Sequence, residues 1–244
     1  MKNWNWTNIW INTRLILIIV AVVFLYSFTE NKNRHRKLKK TEVVFEGNFT
    51  QFLTAETVNK LLIDYNSSVK SIEKHSVNLS KLEKTINNND MVEQSQVFLS
   101  IDGVLKTVVK QRNPIARVFD VDSSFYVDFQ GNTMPLSPIY CARVPLVFGK
   151  INSQNKADLV ALLRFISKDD FLKKNIIGIQ IFDNGALIMK SRNYQYDIDF
   201  GRAINIENKF NNYKAFFQKT VQDSSINTYK KITLRFAQQV VCTK

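Results

Sequence analysis

The sequence predicts an α+β chain in three parts. These are an N-terminal transmembrane helix, a small unit in the order strand–helix–helix–strand–strand, and a larger mixed-sheet β domain with helices on one face. Three observations carry this. One long apolar run lies near the N-terminus, from Leu15 to Phe28, with Ser27 its polar member. Two helical stripes then precede an alternating hairpin about Asp102-Gly103. From about residue 120 onward, alternating segments outnumber helical ones. A chain of 244 residues with 45% hydrophobic content has enough apolar mass for real cores.

Residues 1–8 read as a short tail, 9–28 as the span and 29–40 as a basic linker. Ile9, Trp10 and Ile11 lengthen the apolar run, and Arg14 can snorkel to a headgroup. Trp4, Trp6 and Trp10 form an interfacial belt on the near side, and no small-x-small cleavage site follows the run. Trp10, Leu15, Ile18, Val22 and Phe24 are the expected lipid-facing anchor.

Residues 41–119 read as the first unit. "EVVFEGN" is a strand and turn. A helix follows with Thr54 as N-cap and Val58, Leu61, Leu62 and Tyr65 on one face. A second helix turns Leu79, Leu82 and Ile86 inward and stops at "NNND". "VFLSIDGVLKTVV" is a hairpin, with Asp102-Gly103 expected in a type I′ turn. Pro114 falls near the unit boundary.

Residues 120–244 form the second unit. Phe125–Ser137 is a strand turning at Gly131-Asn132, and Arg143–Gly149 is a short edge segment around Pro145. Lys156–Phe171 is helical, with Leu159, Leu162, Leu163 and Ile166 on one stripe. A hairpin turns at Asn184-Gly185, and Tyr196–Gly201 is a strand. An amphipathic helix packs Ile206, Phe210, Tyr213 and Phe217, leaving Lys209, Lys214 and Lys219 largely outside. Tyr229–Phe236 closes the chain as a strand. Ile232, Leu234 and Phe236 face the core there, and Lys231, Thr233 and Arg235 face out.

The net charge is +13, yet residues 1–40 hold eight Lys/Arg against one Glu. More than half the excess therefore sits in a short N-terminal segment, and the rest is a mildly basic surface suited to solvation or an acidic partner. The aromatics fall at core-like spacing rather than on a basic face, which argues against nucleic acid. Cys141 and Cys242 are too few for a disulfide framework and have no metal-ligand spacing. They read as two buried free thiols or, in an oxidising compartment, a pair.

Catalytic motifs are missing: there is no GxSxG, P-loop, GxGxxG or HExxH. His35 and His75 have no neighbouring acid or nucleophile pattern. Asp197 with Asp199 is the strongest carboxylate pair, on one face of its strand, and reads as solvated. Asp169-Asp170 reads as a helix cap, and Asp120 with Asp122 is weaker still. The chain is therefore expected not to be an enzyme, with no cofactor and no metal.

The order and spacing of these segments resemble the bacterial cell-division family FtsQ, also called DivIB. The matching stretches are "VVFEGNFTQFLTAETVNKLL", "QVFLSIDGVLKTVVKQRNPIARV", "FYVDFQGNTMPLS", "RVPLVFG" and "YKKITLRFAQQVVC". The first unit resembles the POTRA module that this family carries beside the membrane. The resemblance implies a non-enzymatic divisome scaffold in the inner membrane, with a cytoplasmic N-terminus and a periplasmic C-terminal domain at the septum. It implies binding of FtsB and FtsL, indirect linkage to FtsW and FtsI, and no nucleic acid or small-molecule substrate. It further implies that the last strand takes a partner segment by strand addition along Tyr229, Lys231, Thr233, Arg235 and Gln238.

The flank charges point the other way on topology. Lys32, Arg34, Arg36, Lys37, Lys39 and Lys40 follow the span while Lys2 alone precedes it, which by the positive-inside rule puts the large part in the cytoplasm. Contact with anionic headgroups is another use for that basic run. The competing readings are a POTRA-bearing polypeptide-transport or envelope-assembly factor, and a membrane-tethered enzyme using Asp197 and Asp199.

Overall fold

The computed structural model describes residues 6–34, 36–47, 52–63, 73–120, 123–236 and 239–244. The chain divides into two units, Met1–Gly47 with Thr54–Lys110, and Asn48–Leu53 with Gln111–Lys244.

The first unit begins with helix α1 (Trp6–Arg34). Its stretch Trp10–Asn33 has a mean hydropathy of 2.1 over 24 residues and buries nothing within the chain. At 1.5 Å per residue that is about 36 Å, against a bilayer core of about 30 Å. Trp10, Leu15, Ile18, Val22 and Phe24 are all exposed. The helix continues to Arg34, so the expected linker is helical over its first half.

Strand β1 (Lys40–Glu46), helices α2 (Ala55–Ile63) and α3 (Leu79–Asn87), and strands β2 (Val92–Leu99) and β3 (Val104–Gln111) follow in the expected order. The sheet order is β1-β3-β2, with β1 parallel to β3. Thr54 caps α2 by accepting from the Thr57 N–H at 3.1 Å. Asn78 caps α3 by accepting from Lys81 N–H at 3.0 Å. Val58, Leu62 and Ile86 are buried as their stripes require, together with Val92, Leu105 and Val109. Tyr65 lies outside the described residues.

The β2–β3 turn differs from the expected type I′. Gly103 has φ +84°, while Asp102 keeps a negative φ. Gly103 N–H donates to Ser100 O at 3.1 Å, and Ser100 N–H donates to Val104 O at 2.9 Å. This is a three-residue loop, a β-turn closed by a left-handed glycine, which spares aspartate the positive φ. The Asn184-Gly185 turn is built identically, with Gly185 N–H on Phe182 O at 2.9 Å.

The second unit contains strands β4 (Pro114–Phe119), β5 (Ser124–Asp128), β6 (Thr133–Met134) and β7 (Leu146–Phe148), then helices α4 (Lys156–Lys168) and α5 (Asp170–Asn175). Strands β8 (Ile176–Ile181), β9 (Leu187–Ser191) and β10 (Asp197–Gly201), helix α6 (Ile206–Gln222), and strands β11 (Lys231–Thr233) and β12 (Val241–Thr243) complete it. The nine strands form one sheet in the order β12-β11-β10-β9-β8-β7-β4-β5-β6. One row of directly opposed residues crosses it: Cys242, Ile232, Ile198, Met189, Ile179, Val147, Val118, Phe125. That row packs into a single core with Leu162, Leu163, Ile166, Leu172, Phe210 and Tyr213 of α4, α5 and α6. Alternate residues along the strands thus face the helical layer.

Three features differ from the sequence expectation. The first unit ends at Lys110 rather than 119, because β4 pairs with β5 and β7 downstream. Pro114 marks the start of that strand, where a missing N–H costs no ladder bond. β7 is interior rather than an edge, since it pairs in parallel with both β4 and β8. The expected helix 156–171 breaks at Asp169, whose extended backbone (ψ 117°) ends α4 and whose side chain caps α5 by accepting from Leu172 N–H at 2.9 Å.

Candidate partner-binding edge

The closing segment is shorter than its alternation suggests. Tyr229 precedes β11, at the end of a 3-10 turn (Ser225–Thr228), and sets its ring edge-on against Phe216 at 5.6 Å. Ile232 and Leu234 are buried as expected. Phe236 is not: it is 48% exposed, because the chain leaves the sheet after Leu234. Gln238 lies outside the described residues.

The main correction concerns the edge itself. β11 is paired on both sides within this chain, in parallel to β10 and antiparallel to β12. Thr233 stands opposite Asp199 on one side and Val241 on the other. Among the described residues the sheet ends on β6 and, on the side of β11, on β12, where Val241 is 41% exposed. Sequence reasoning passed over β12 because three residues are too short for alternation to register.

Lys231 and Arg235 do project to the outer face, yet they are not free. Lys231 Nζ lies 2.9 Å from one oxygen of Asp199, and Arg235 Nε lies 2.8 Å from the other. Asp199, expected in solvent, is only 2% exposed. The two long side chains cover it, with the Arg235 stem lying over Gly201. Burial pushes the carboxyl pKa up, and the hydrogen bonds from Arg235 and Lys231 outweigh it and hold it below the usual range. Leu234 N–H adds a main-chain bond to Asp199 O at 2.8 Å. Asp199 therefore fastens both ends of β11 to β10. With one anion for two cations the cluster stays net positive, and exposed Lys230 and Lys244 flank it.

Lys209, expected on the solvent side of its helix, is buried beneath the same strand. Its Nζ donates to Phe200 O and Arg202 O, both at 2.8 Å, and sits 4.6 Å from the Phe200 ring centre. Burial pulls its pKa below the usual lysine range, against the pull of Asp199. Lys214 pairs with Asp169.

The other carboxylates and thiols are also placed. Asp197 pairs with Lys190 at the exposed surface, so it and Asp199 are both engaged as ion pairs rather than forming a dyad. His75 Nδ1 lies 3.3 Å from Glu73, and His35 and Asp122 lie outside the described residues. No group of three His, Cys, Asp or Glu side chains gathers to hold a metal among the described residues. Both cysteines are free. Cys141 is exposed and Cys242 half-buried, rather than both buried.

The "QRNPIAR" run does local work. Gln111 Oε1 accepts from Phe52 and Leu53 N–H at 3.0 and 3.2 Å, and its Nε2 donates to Leu53 O at 3.2 Å. Arg112 pairs with fully buried Asp128 at 2.6 Å. Phe52 then packs edge-on against Tyr126 and Tyr140.

A helix of membrane-spanning length, a small βααββ unit and a large mixed sheet with helices on one face make up the described fold. The family model described as "FtsQ/DivIB, C-terminal related" matches residues 113–243. The chain belongs to that family, and is a cell-division protein. It is also similar to a solved structure, the major extracytoplasmic domain of the trans isomer of the bacterial cell division protein DivIB from Geobacillus stearothermophilus. Identity is 15% and the TM-score 0.34, over 47% of this chain and 97% of that one. No curated protein matches.

Proposed function

We propose that this protein is a non-enzymatic divisome scaffold that binds partner segments at the open edge of β12. In this reading α1 anchors it in the inner membrane with its N-terminus in the cytoplasm. The first unit serves as a POTRA module and both units lie in the periplasm at the septum. FtsB and FtsL are the direct partners, and through them the protein is linked to FtsW and FtsI.

The observation that carries this reading is the family match over residues 113–243, which ends on β12. The open side of a terminal strand offers main-chain donors and acceptors to an added strand. The surplus positive charge about Lys231, Arg235, Lys230 and Lys244 suits an acidic segment.

The test is co-purification of FtsB and FtsL with the full chain carrying Val241→Asp. A carboxylate on the outer strand opposes an acidic partner and leaves β11 paired to β10. At least about tenfold weaker capture is expected, a loss of about 1.4 kcal/mol. Unchanged capture by a folded variant sinks the edge reading. Proline at Thr233 is a poorer probe, because it also threatens the chain's own ladder.

A further inference from the structure

The turn between β2 and β3 carries an apolar residue with no structural use. Ile101 is 79% exposed at the tip of the Ser100–Val104 turn. A turn of this geometry accepts polar residues at that position, so a large aliphatic group there has no local cause.

The surroundings of the tip supply one. Lys39 N–H donates to Gly103 O at 2.8 Å, and Lys74 N–H donates to Arg36 O at 2.8 Å. Lys74 Nζ reaches Ile101 O at 3.4 Å. The tip is thus tied to the residues that directly follow α1. Ile101 shares a groove of ≈ 460 Å³ with Tyr26, Phe28, Glu30 and Lys32 on the last turns of that helix and with Arg36 just beyond it. Those turns end the apolar stretch at Asn33, so they occupy the depth where hydrocarbon gives way to headgroups. An apolar tip ringed by Lys32, Arg36 and Lys74 matches that layer in both polarity and charge.

We infer that the β2–β3 turn is a second membrane contact. Ile101 enters the boundary between acyl chains and headgroups, and Lys32, Arg36 and Lys74 engage anionic phospholipid headgroups. The occupant of the groove is the bilayer itself. The inference rests on the reading of α1 as a membrane span and adds to it a fixed seating of the first unit on the lipid surface.

Nitroxide labels test it on the full chain with Cys141→Ser and Cys242→Ser. Single labels are attached to Ile101→Cys, Val22→Cys and Asp90→Cys. Asp90 precedes β2 and Ile101 follows it, so the eight residues of that strand separate the two labels by about 26 Å. The chain is placed in vesicles of phosphatidylethanolamine and phosphatidylglycerol, and collisions with oxygen and with a water-soluble nickel chelate are compared. The label at 22 should be deep in lipid and the label at 90 in water. The label at 101 should favour oxygen over nickel several-fold relative to 90, and lose that preference in phosphatidylcholine vesicles. A water-exposed label at 101 beside an immersed label at 22 overturns the inference alone. A water-exposed label at 22 overturns the span reading and this inference with it. Equal immersion of 101 in phosphatidylcholine overturns the part assigned to Lys32, Arg36 and Lys74.

Discussion

Replacing Asp199 with asparagine keeps the shape of the side chain and removes the charge that holds β11. Its carboxylate side chain is 3% exposed, whereas Lys231 and Arg235 are 44% and 53% exposed. Removing one partner of a fully buried pair costs about 3–5 kcal/mol. An exposed pair is worth about 0.2–1 kcal/mol. Here the anion is buried and water reaches the cations, so the freed ammonium and guanidinium recover part of their hydration. The expected cost lies between the limits, at about 2 kcal/mol. For a unit of this size that lowers Tm by about 4–8 °C, read by calorimetry on the full chain in detergent at pH 7.

The same argument sets a pH dependence. The folded-state pKa of Asp199 lies below its unfolded value of about 3.9. Its stabilising effect is therefore fully present above about pH 4 and lost as pH falls through the lower, folded value. The difference between the original chain and Asp199→Asn should shrink across that window. Asp197→Asn is the control, since Asp197 pairs with Lys190 at the surface and should cost under about 1 kcal/mol. A Tm for Asp199→Asn equal to that of Asp197→Asn would refute the view that burial, not charge, makes this site matter.

Three further substitutions test other parts of the structure. Gln111→Ala leaves the buried N–H groups of Phe52 and Leu53 without their acceptor, and should destabilise the second unit by about 2–3 kcal/mol in urea titration. Ile232→Ala should cost about 2–5 kcal/mol by opening a cavity in the core row, while Phe236→Ala, at an exposed position, should stay within about 0.5 kcal/mol.

The order of most elements along the chain was legible because each of those rests on a local period. The stripe Val58, Leu62 and the stripe Leu159, Leu162, Leu163, Ile166 announce helices, and the alternation through Ile232 and Leu234 announces a strand. Gly103 and Gly185 announce turns because only glycine takes their positive φ cheaply. The apolar run from Leu15 to Phe28 announces a span by length and composition alone.

What surrounds each element was decided by tertiary structure. Alternation is the same in an edge strand and an interior one, so nothing local told that β7 is flanked on both sides or that the chain doubles back as β12. The same limit misplaced the unit boundary, because the partners of β4 arrive only with β5 and β7. Asp199 and Lys209 looked solvated by their spacing. Their burial depends on Arg235, 36 residues beyond Asp199, and on the carbonyls of Phe200 and Arg202. A period along the chain reports which way a side chain points. Whether it then meets water, a counter-charge or another strand is set by residues brought from elsewhere in the fold.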